Sequence, residues 1–498
     1  MRVASWMALP AGVGVAALAC GSAGVVGPPP PPGTHVGYYV VPAPYGTSSG
    51  DGTNEAPWDL ATALDGGHGN RLQPGDTVWL RAGVYRGFFR TSLNGSSSAS
   101  IIFRQYPGER ATIDGTLAAG GSYLTFWGFE IRQSNAATST DRVLEANTDH
   151  GRFVNLVLHD AGISGVSMIE SAGAEAELYG SIVFNNGHND NIDHGIYAHN
   201  ATTGRKYITD NVFFNNCARG IQVYDAGPLI RDLSVIGNVS FDNGTLSCAS
   251  TPVNLLVSAP ATTSGMVVRD NLLYFAPGIG GVQLRLGNYD TGNQGAYNQD
   301  IDVESNFAAG GTSGLEMQYQ WLLATVKNNV LIGDASTDVV RLGGSVYAAY
   351  TWSGNTYYRD PSAQAWTQNG TRYDFNGWKA ATGLGGGDTA VSGTPGTQVF
   401  LRPNKYEAGR AFIVVFNLGG AGAVSVNVPN IVAMGDHFEI RNVQDVFAPT
   451  PVVSGSYGGG AITIPMGGVP PPSPIGRATH APKTGPGFDV FLLTSGAP

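Results

Sequence analysis

Between residues 77 and 358 the chain is built of short runs in which apolar and polar residues alternate, each closed by Gly, Asn or Asp. Arg152-Phe153-Val154, Thr209-Asp210-Asn211-Val212-Phe213 and Arg269-Asp270-Asn271-Leu272-Leu273 are examples. Alternation with a period of two marks strands whose side chains point to opposite faces. The intervals hold no amphipathic stretch of helical period, which excludes a helical solenoid. Anchor positions Asn155, Gly180, Asn211, Asn238, Asn271, Asn306, Asn329 and Asn355 are spaced by 25, 31, 27, 33, 35, 23 and 26 residues. A unit of that length with two or three strands suits one turn of a parallel β-solenoid. No coil can bury its inner face alone, so coils must stack. Asn at a bend tolerates left-handed backbone and can bond from rung to rung, so the anchors are read as structural and given no chemistry.

Both ends of the repeat carry different patterns. Pro57, Trp58, Leu60, Ala63 and Leu64 spell a short amphipathic helix that would cover the open edge of the first coil. After Tyr358 the rhythm stops. Residues 376–383 read as a short helix ended by Gly383, followed by a glycine-rich hinge. From Gln398 onward about seven strands bounded by turn residues predict a small antiparallel sandwich, read either as a glycan-binding module or as a cap and spacer. The expected organisation is residues 1–19 as signal peptide, 20–34 as Pro-rich linker, and 35–360 as parallel β-helix with its cap helix. Residues 361–397 follow as linker and 398–498 as C-terminal β-sandwich.

Composition narrows the class. The 498 residues include 71 Gly and only 13% charged residues, with 27 Lys+Arg against 37 Asp+Glu and a net charge of −10. That balance argues against a nucleic-acid partner, which needs a basic face. Arg2, the apolar residues 13–18 and the small Ala17 and Ala19 read as an export signal, so the protein is expected to be secreted or on the cell surface. Ala17-Leu18-Ala19-Cys20 also fits a lipoprotein box, which would anchor the chain to a membrane through lipidated Cys20. Cys217 and Cys248 could pair or stay free, and they are too few for a zinc site. A monomer is expected.

The opening Tyr38-Tyr39-Val40, the turn Pro74-Gly75-Asp76 and the strand from Thr77 to Leu80, together with the repeat, resemble the secreted right-handed parallel β-helix proteins of the pectate-lyase-like superfamily over residues 35–360. The trailing strands resemble the C-terminal β-sandwich found behind many bacterial β-helices. The resemblance implies an all-β fold of about ten coils plus a sandwich, and it implies no single activity, because that superfamily holds lyases, hydrolases, epimerases and adhesins.

One strand per coil can be aligned so that apolar residues face in. One outward column then reads Glu145, Ser167, Tyr197, Gln222, Asn254, Gln283, Glu316 and Arg341. Its neighbour reads Asn147, Ile169, His199, Tyr224, Leu256, Arg285, Gln318 and Gly343. Side chains that hydrogen-bond, stack and titrate along one face suit a linear polysaccharide, and Tyr197, Gln222, Asn254, Gln283, Glu316 and Gln318 are the expected substrate contacts. The stretch 187–200, with His188, His194, Tyr197 and His199, is densest. His199, Tyr224, Arg285 and His194 are the candidate catalytic set for β-elimination on a uronic-acid polysaccharide: a base takes the proton beside the carboxylate and Arg stabilises the charge that develops. Lyases resembling chondroitinase B and the related alginate lyases use a Lys and Arg pair here, often with calcium. This chain has no Lys in either column and no tight acidic cluster, so calcium is left open without a site. Hydrolysis, the second mechanism, needs two carboxylates about 5–9.5 Å apart. Glu145 with Glu170, and Asp225 with Glu316, are weaker candidates for that pair. A non-catalytic surface or adhesion protein is the alternative of a different class.

Overall fold

A computed structural model describes residues 37–169, 172–188, 192–225, 227, 229–246, 251–260, 262–287, 297–334, 336–477 and 479–496. The expectations for the signal segment, Cys20, Glu170 and Cys248 fall outside these residues. The alternating runs wind into stacked coils with three parallel sheets. Sheet A has twelve strands, from Gly37–Val40 to Tyr350–Ser353. Sheet B runs through Glu130–Arg132, Val157–His159, Ile182–Phe184 and Val212–Phe214 to Thr389–Val391. Sheet C runs through Leu144–Ala146, Val166–Met168, Ile196–Ala198 and Arg219–Val223 to Trp366–Gln368. Inward residues of all three fill one continuous interior, with Phe103, Phe126 and Phe153 stacked 5.4 Å apart from coil to coil.

The bends explain the anchors. Where sheet A turns into sheet B, a positive-φ residue (Asn155, Gly180, Asp210, Gly237, Asp270, Ser305, Asn328 or Gly354) precedes the ladder residue. The ladder runs Ser181, Asn211, Asn238, Asn271, Asn306, Asn329 and Asn355. From Asn211 to Asn329, each Nδ2 donates to the next Oδ1 at 2.9–3.2 Å. Asn155 and Gly180 thus belong to the left-handed position, one residue before the ladder. Sheet B turns into sheet C through a second ladder, Asn186, Asn216, Asn243, Asn254 and Gln283.

The cap helix is shorter than expected, Leu60–Leu64, with Asp59 accepting from the Thr62 N–H at 2.8 Å. Trp58, fully buried and stacked on Tyr38 at 4.6 Å, does much of the capping. Most of the stretch read as a linker over 361–397 closes the other end. Trp366–Gln368 and Thr389–Val391 extend sheets C and B, and the helix Phe375–Thr382 buries Phe375 and Trp378 against the last coil.

The C-terminal strands form the sandwich. Sheet D has the order Thr397–Pro403, Arg410–Asn417, Phe488–Gly496, His437–Asn442, Val453–Ser456, and sheet E pairs Ala423–Asn427 with Ala461–Pro465. The continuous apolar run Ala411-Phe412-Ile413-Val414-Val415-Phe416 is buried on both sides. Ala411, Ile413 and Val415 face the sandwich interior, while Phe412, Val414 and Phe416 pack on the outward face of sheet B.

Candidate active site

Sheet C carries the expected polar face with one change of register. Ser167, Tyr197, Gln222, Leu256, Arg285, Glu316 and Arg341 stand in one outward column. The coils of Leu256 and Arg285 are offset by two residues from the sequence alignment, a slip that leaves the inward/outward alternation intact. Asn254 and Gln283 are therefore not substrate contacts. Both are fully buried in the second ladder: Asn254 Nδ2 donates to Gln283 Oε1 at 2.7 Å, and Gln283 Nε2 donates to the Ala309 carbonyl at 2.6 Å.

His199 and Tyr224 keep their predicted relation. The His199 N–H bonds the Met168 carbonyl and the Tyr224 N–H bonds the Ala198 carbonyl, both at 3.1 Å, which sets them on adjacent coils at one register. Arg285 is not in their column but in the Gln222 column, two coils beyond Gln222. His199 Nδ1 lies 3.6 Å from an Asp225 carboxylate oxygen, and the imidazole side chain is only 7% exposed. The Tyr197 ring stands edge-on to His199 at 5.9 Å and 6.5 Å from the Tyr224 ring. Although they point outward, His199 and Gln222 are buried and Tyr197 and Tyr224 half-buried, so the patch is recessed. Burial, and then the Asp225 charge, push the Tyr197 phenol up to about 12, which keeps it a proton donor. Gln222 Oε1 is buried and has no hydrogen-bond partner among the described residues, an acceptor that a ligand hydroxyl could meet.

His194 does not act at this surface. It is fully buried, its ring roughly parallel to Tyr197 at 6.1 Å, with neither ring nitrogen hydrogen-bonded among the described residues. Burial, and then the Arg219 charge, hold it well below the usual histidine range, so it is a neutral packing residue under the site. Glu316 is also withdrawn as a substrate contact: it is buried and gripped by Arg285 at 2.9 Å and Arg341 at 2.8 Å. Gln318 remains exposed beside it, Nε2 reaching Glu316 at 3.4 Å. Asp225 serves His199 rather than pairing with Glu316, three coils away, so the structure forms no hydrolytic carboxylate pair there.

Three residues escaped the column reading. Arg219 begins the strand Arg219–Val223, two residues ahead of the aligned run. Burial first, and then the like charge of Arg285, hold its guanidinium below the usual arginine range. Arg142, in the loop before Leu144–Ala146, acts on the Tyr197 phenol and has a buried Nε without a partner among the described residues. Lys206, fully buried, donates through Nζ to the His199 carbonyl at 3.1 Å and anchors the backbone behind the imidazole. The scarcity of positive charge was the available signal, since three of the few cations surround one polar stretch. The sandwich also reaches this region. Its segment 466–487 bonds Asp160 through the Ile475 N–H at 2.7 Å and the Gly187 carbonyl through Arg477, at the base of the loop carrying His194. Cys217, in the same bend, is disulfide-bonded.

Among the described residues no three His, Cys, Asp or Glu converge in a way that could hold a metal ion, so no calcium ligands are assigned. No helix among them is long and apolar enough to cross a membrane. A cavity of about 610 Å³ lies elsewhere, between the bends at Phe275 and Gly310 and the sandwich at Asn417. It offers one carboxylate, Asp334, already bonded to Ser336 and Thr337, and is a poorer setting for chemistry than the face of sheet C.

No protein-family model matches the chain, and no curated protein matches it. Among solved structures it is similar to pectate lyase Pel9A, at a TM-score of 0.51 and 16% identity, covering 64% of this chain and 79% of that one. A rhamnogalacturonan lyase aligns at 0.46 and 16%, covering 64% of this chain and 87% of that one. A protein described as XylC in complex with xylose aligns at 0.44 and 12%, covering 92% of this chain and 100% of that one. The likeness is one of fold: a right-handed parallel β-helix, followed here by a β-sandwich.

Proposed function

We propose that this protein is a polysaccharide lyase that cleaves a uronic-acid polymer by β-elimination on sheet C. The observation that carries the reading is the recessed His199–Asp225 pair at 3.6 Å, with Tyr197 and Tyr224 beside it and Arg219 within the field of Arg285. A uronate carboxylate taken up beside Arg219 would offset the like charge of Arg285, which Glu316 already holds in place, and acidify the adjacent C–H. His199, oriented by Asp225, takes the C5 proton. The C5–H electron pair forms the C4=C5 double bond, and the C4–O4 bond breaks with its electron pair on the leaving oxygen. Tyr224 delivers a proton to that oxygen. No water is consumed. Imidazole is the side chain suited to a base near neutral pH, whereas Tyr197 holds its proton and serves as a hydrogen-bond donor.

Incubation with polygalacturonate, alginate and neutral glucans tests this. A lyase yields products with the ultraviolet absorbance of a C4=C5 double bond, and His199→Ala abolishes it. New reducing ends without that absorbance would identify a hydrolase, and binding without products an adhesin; either result overturns the reading. If the export signal operates, the substrate would be met outside the cytoplasm.

A further inference from the structure

A second, unassigned group of aromatic residues lies on sheet A, a different face from the candidate active site. Tyr39, Trp79, Arg104 and Trp127 occupy one outward column on four successive strands. Tyr106 joins them, 6.2 Å from Tyr39 and edge-on to Trp79 at 5.8 Å. Tyr39, Trp79 and Tyr106 are each partly exposed, and none belongs to a hydrophobic core cluster. The outward aromatics of sheet B, by contrast, are buried beneath the sandwich. Three partly exposed large rings on neighbouring coils are costly to leave in water without a purpose.

Arg104 gives the surface its chemistry. Its guanidinium lies 4.0 Å over the Trp127 ring and 6.0 Å from Trp79. It makes no hydrogen bond or ion pair among the described residues. The adjacent Arg81, over Tyr106 at 4.6 Å, is instead committed to Glu109 at 2.6 Å. Glu407, the carboxylate acting on Arg104, is itself bonded to Asn155 at 2.8 Å and Trp127 at 3.4 Å. Arg104 is therefore held in place by the indole while its N–H edge stays available to an anion, which planar guanidinium binds in two-point fashion.

We propose that this face is a second polysaccharide-binding surface, in which Tyr39, Trp79 and Tyr106 stack on sugar rings while Arg104 pairs with a uronate carboxylate. Aromatic faces take the C–H faces of sugars, and the Arg104 guanidinium, which has no ion pair among the described residues, selects an acidic chain over a neutral one. A nucleic acid is disfavoured by the net charge of −10 and by so small a cationic patch. The identity of the ligand rests on the polyuronate reading above; the surface itself does not. Such a site would hold a long polymer on the protein without taking part in its cleavage.

The test measures binding of polygalacturonate and alginate to the full chain by calorimetry and tryptophan fluorescence, with dextran as neutral control and single-stranded DNA as the other polyanion. The chain carries His199→Ala so that no polymer is turned over. Arg104→Gln should weaken polyuronate binding about tenfold, and Trp79→Ala should do the same, while Arg104→Lys retains part of the affinity. In the otherwise native chain Arg104→Gln should leave cleavage of a short uronate oligomer unchanged. Equal binding by Arg104→Gln and native chains overturns the proposal even if Trp79→Ala misfolds. So does an equal loss toward dextran, preference for DNA, or a change in self-association in place of glycan binding. Arg104-dependent binding without any cleavage would sink the lyase reading and leave this surface standing; cleavage with Arg104-independent binding would do the reverse.

Discussion

Sheets B and C are made by the same coils, share one interior and differ only in what they show outside. Sheet B presents Ile182, Phe184, Val212, Phe214, Val239 and Phe241 outward, its phenyl rings stacked at 4.9 and 5.0 Å, and the sandwich covers them. Sheet C presents Tyr197, Gln222, Arg285, Glu316 and Arg341 at equivalent positions, and among the described residues no sandwich side chain joins a hydrophobic cluster with them. A coil has little choice about its inner face, which must be apolar. The outer face is where one sheet recruits a domain and another is left for a ligand.

The largest effect should come from breaking the covered face. Phe214→Ala removes a fully buried ring between the sheets and should cost about 3–5 kcal/mol of stability in chemical denaturation. The specific activity of the molecules still folded should stay unchanged; a parallel loss would show that the two faces are not separable. On the open face the order reverses. Tyr224→Phe should slow turnover about 100-fold with the melting temperature unmoved, and unchanged turnover would remove Tyr224 from the mechanism.

The seam itself carries buried carboxyls. Asp242, pushed up to about 7 by burial, occupies the left-handed position that Asn185 and Asn215 take on earlier coils. A carboxyl with a raised folded-state pKa contributes its full stability below its unfolded pKa near 3.8 and loses it as pH rises through 7. Asp242→Asn should therefore stabilise the protein at pH 8 by about 2 kcal/mol and little at pH 4. Equal effects at both pH values in urea titrations would refute that account. The smallest effect sharpens the register. Gln283→Leu, inside the ladder, should cost about 1–3 kcal/mol with KM unchanged, whereas Gln318→Ala should alter only KM. The opposite pattern would restore Gln283 to the substrate face.

Much of the candidate site was legible beforehand. His199, Tyr197 and Tyr224 followed from alternation because a side chain's side of a strand is a local property. Asn254 and Gln283 were misplaced because a two-residue offset preserves that alternation, and only the bend ladder betrays it. His194 looked equal to His199 in a run of histidines; its depth depends on how the loop folds back over Ser164, whose Oγ accepts the His194 N–H at 3.0 Å. Arg219 and Asp225 lay just outside the aligned runs, so the pairing of Asp225 with His199 and the Arg219 charge felt by His194 were invisible without coordinates.

The amino-acid order alone determined the strands, the coil length, the asparagine bends and the separate C-terminal strands, since each arises from interactions among near neighbours or from a repeated burial demand. Only the tertiary structure decided which outer face the sandwich occupies, which coils are offset by two residues, and which carboxylate meets His199. Those outcomes depend on contacts between segments tens to hundreds of residues apart, which periodicity along the chain does not encode.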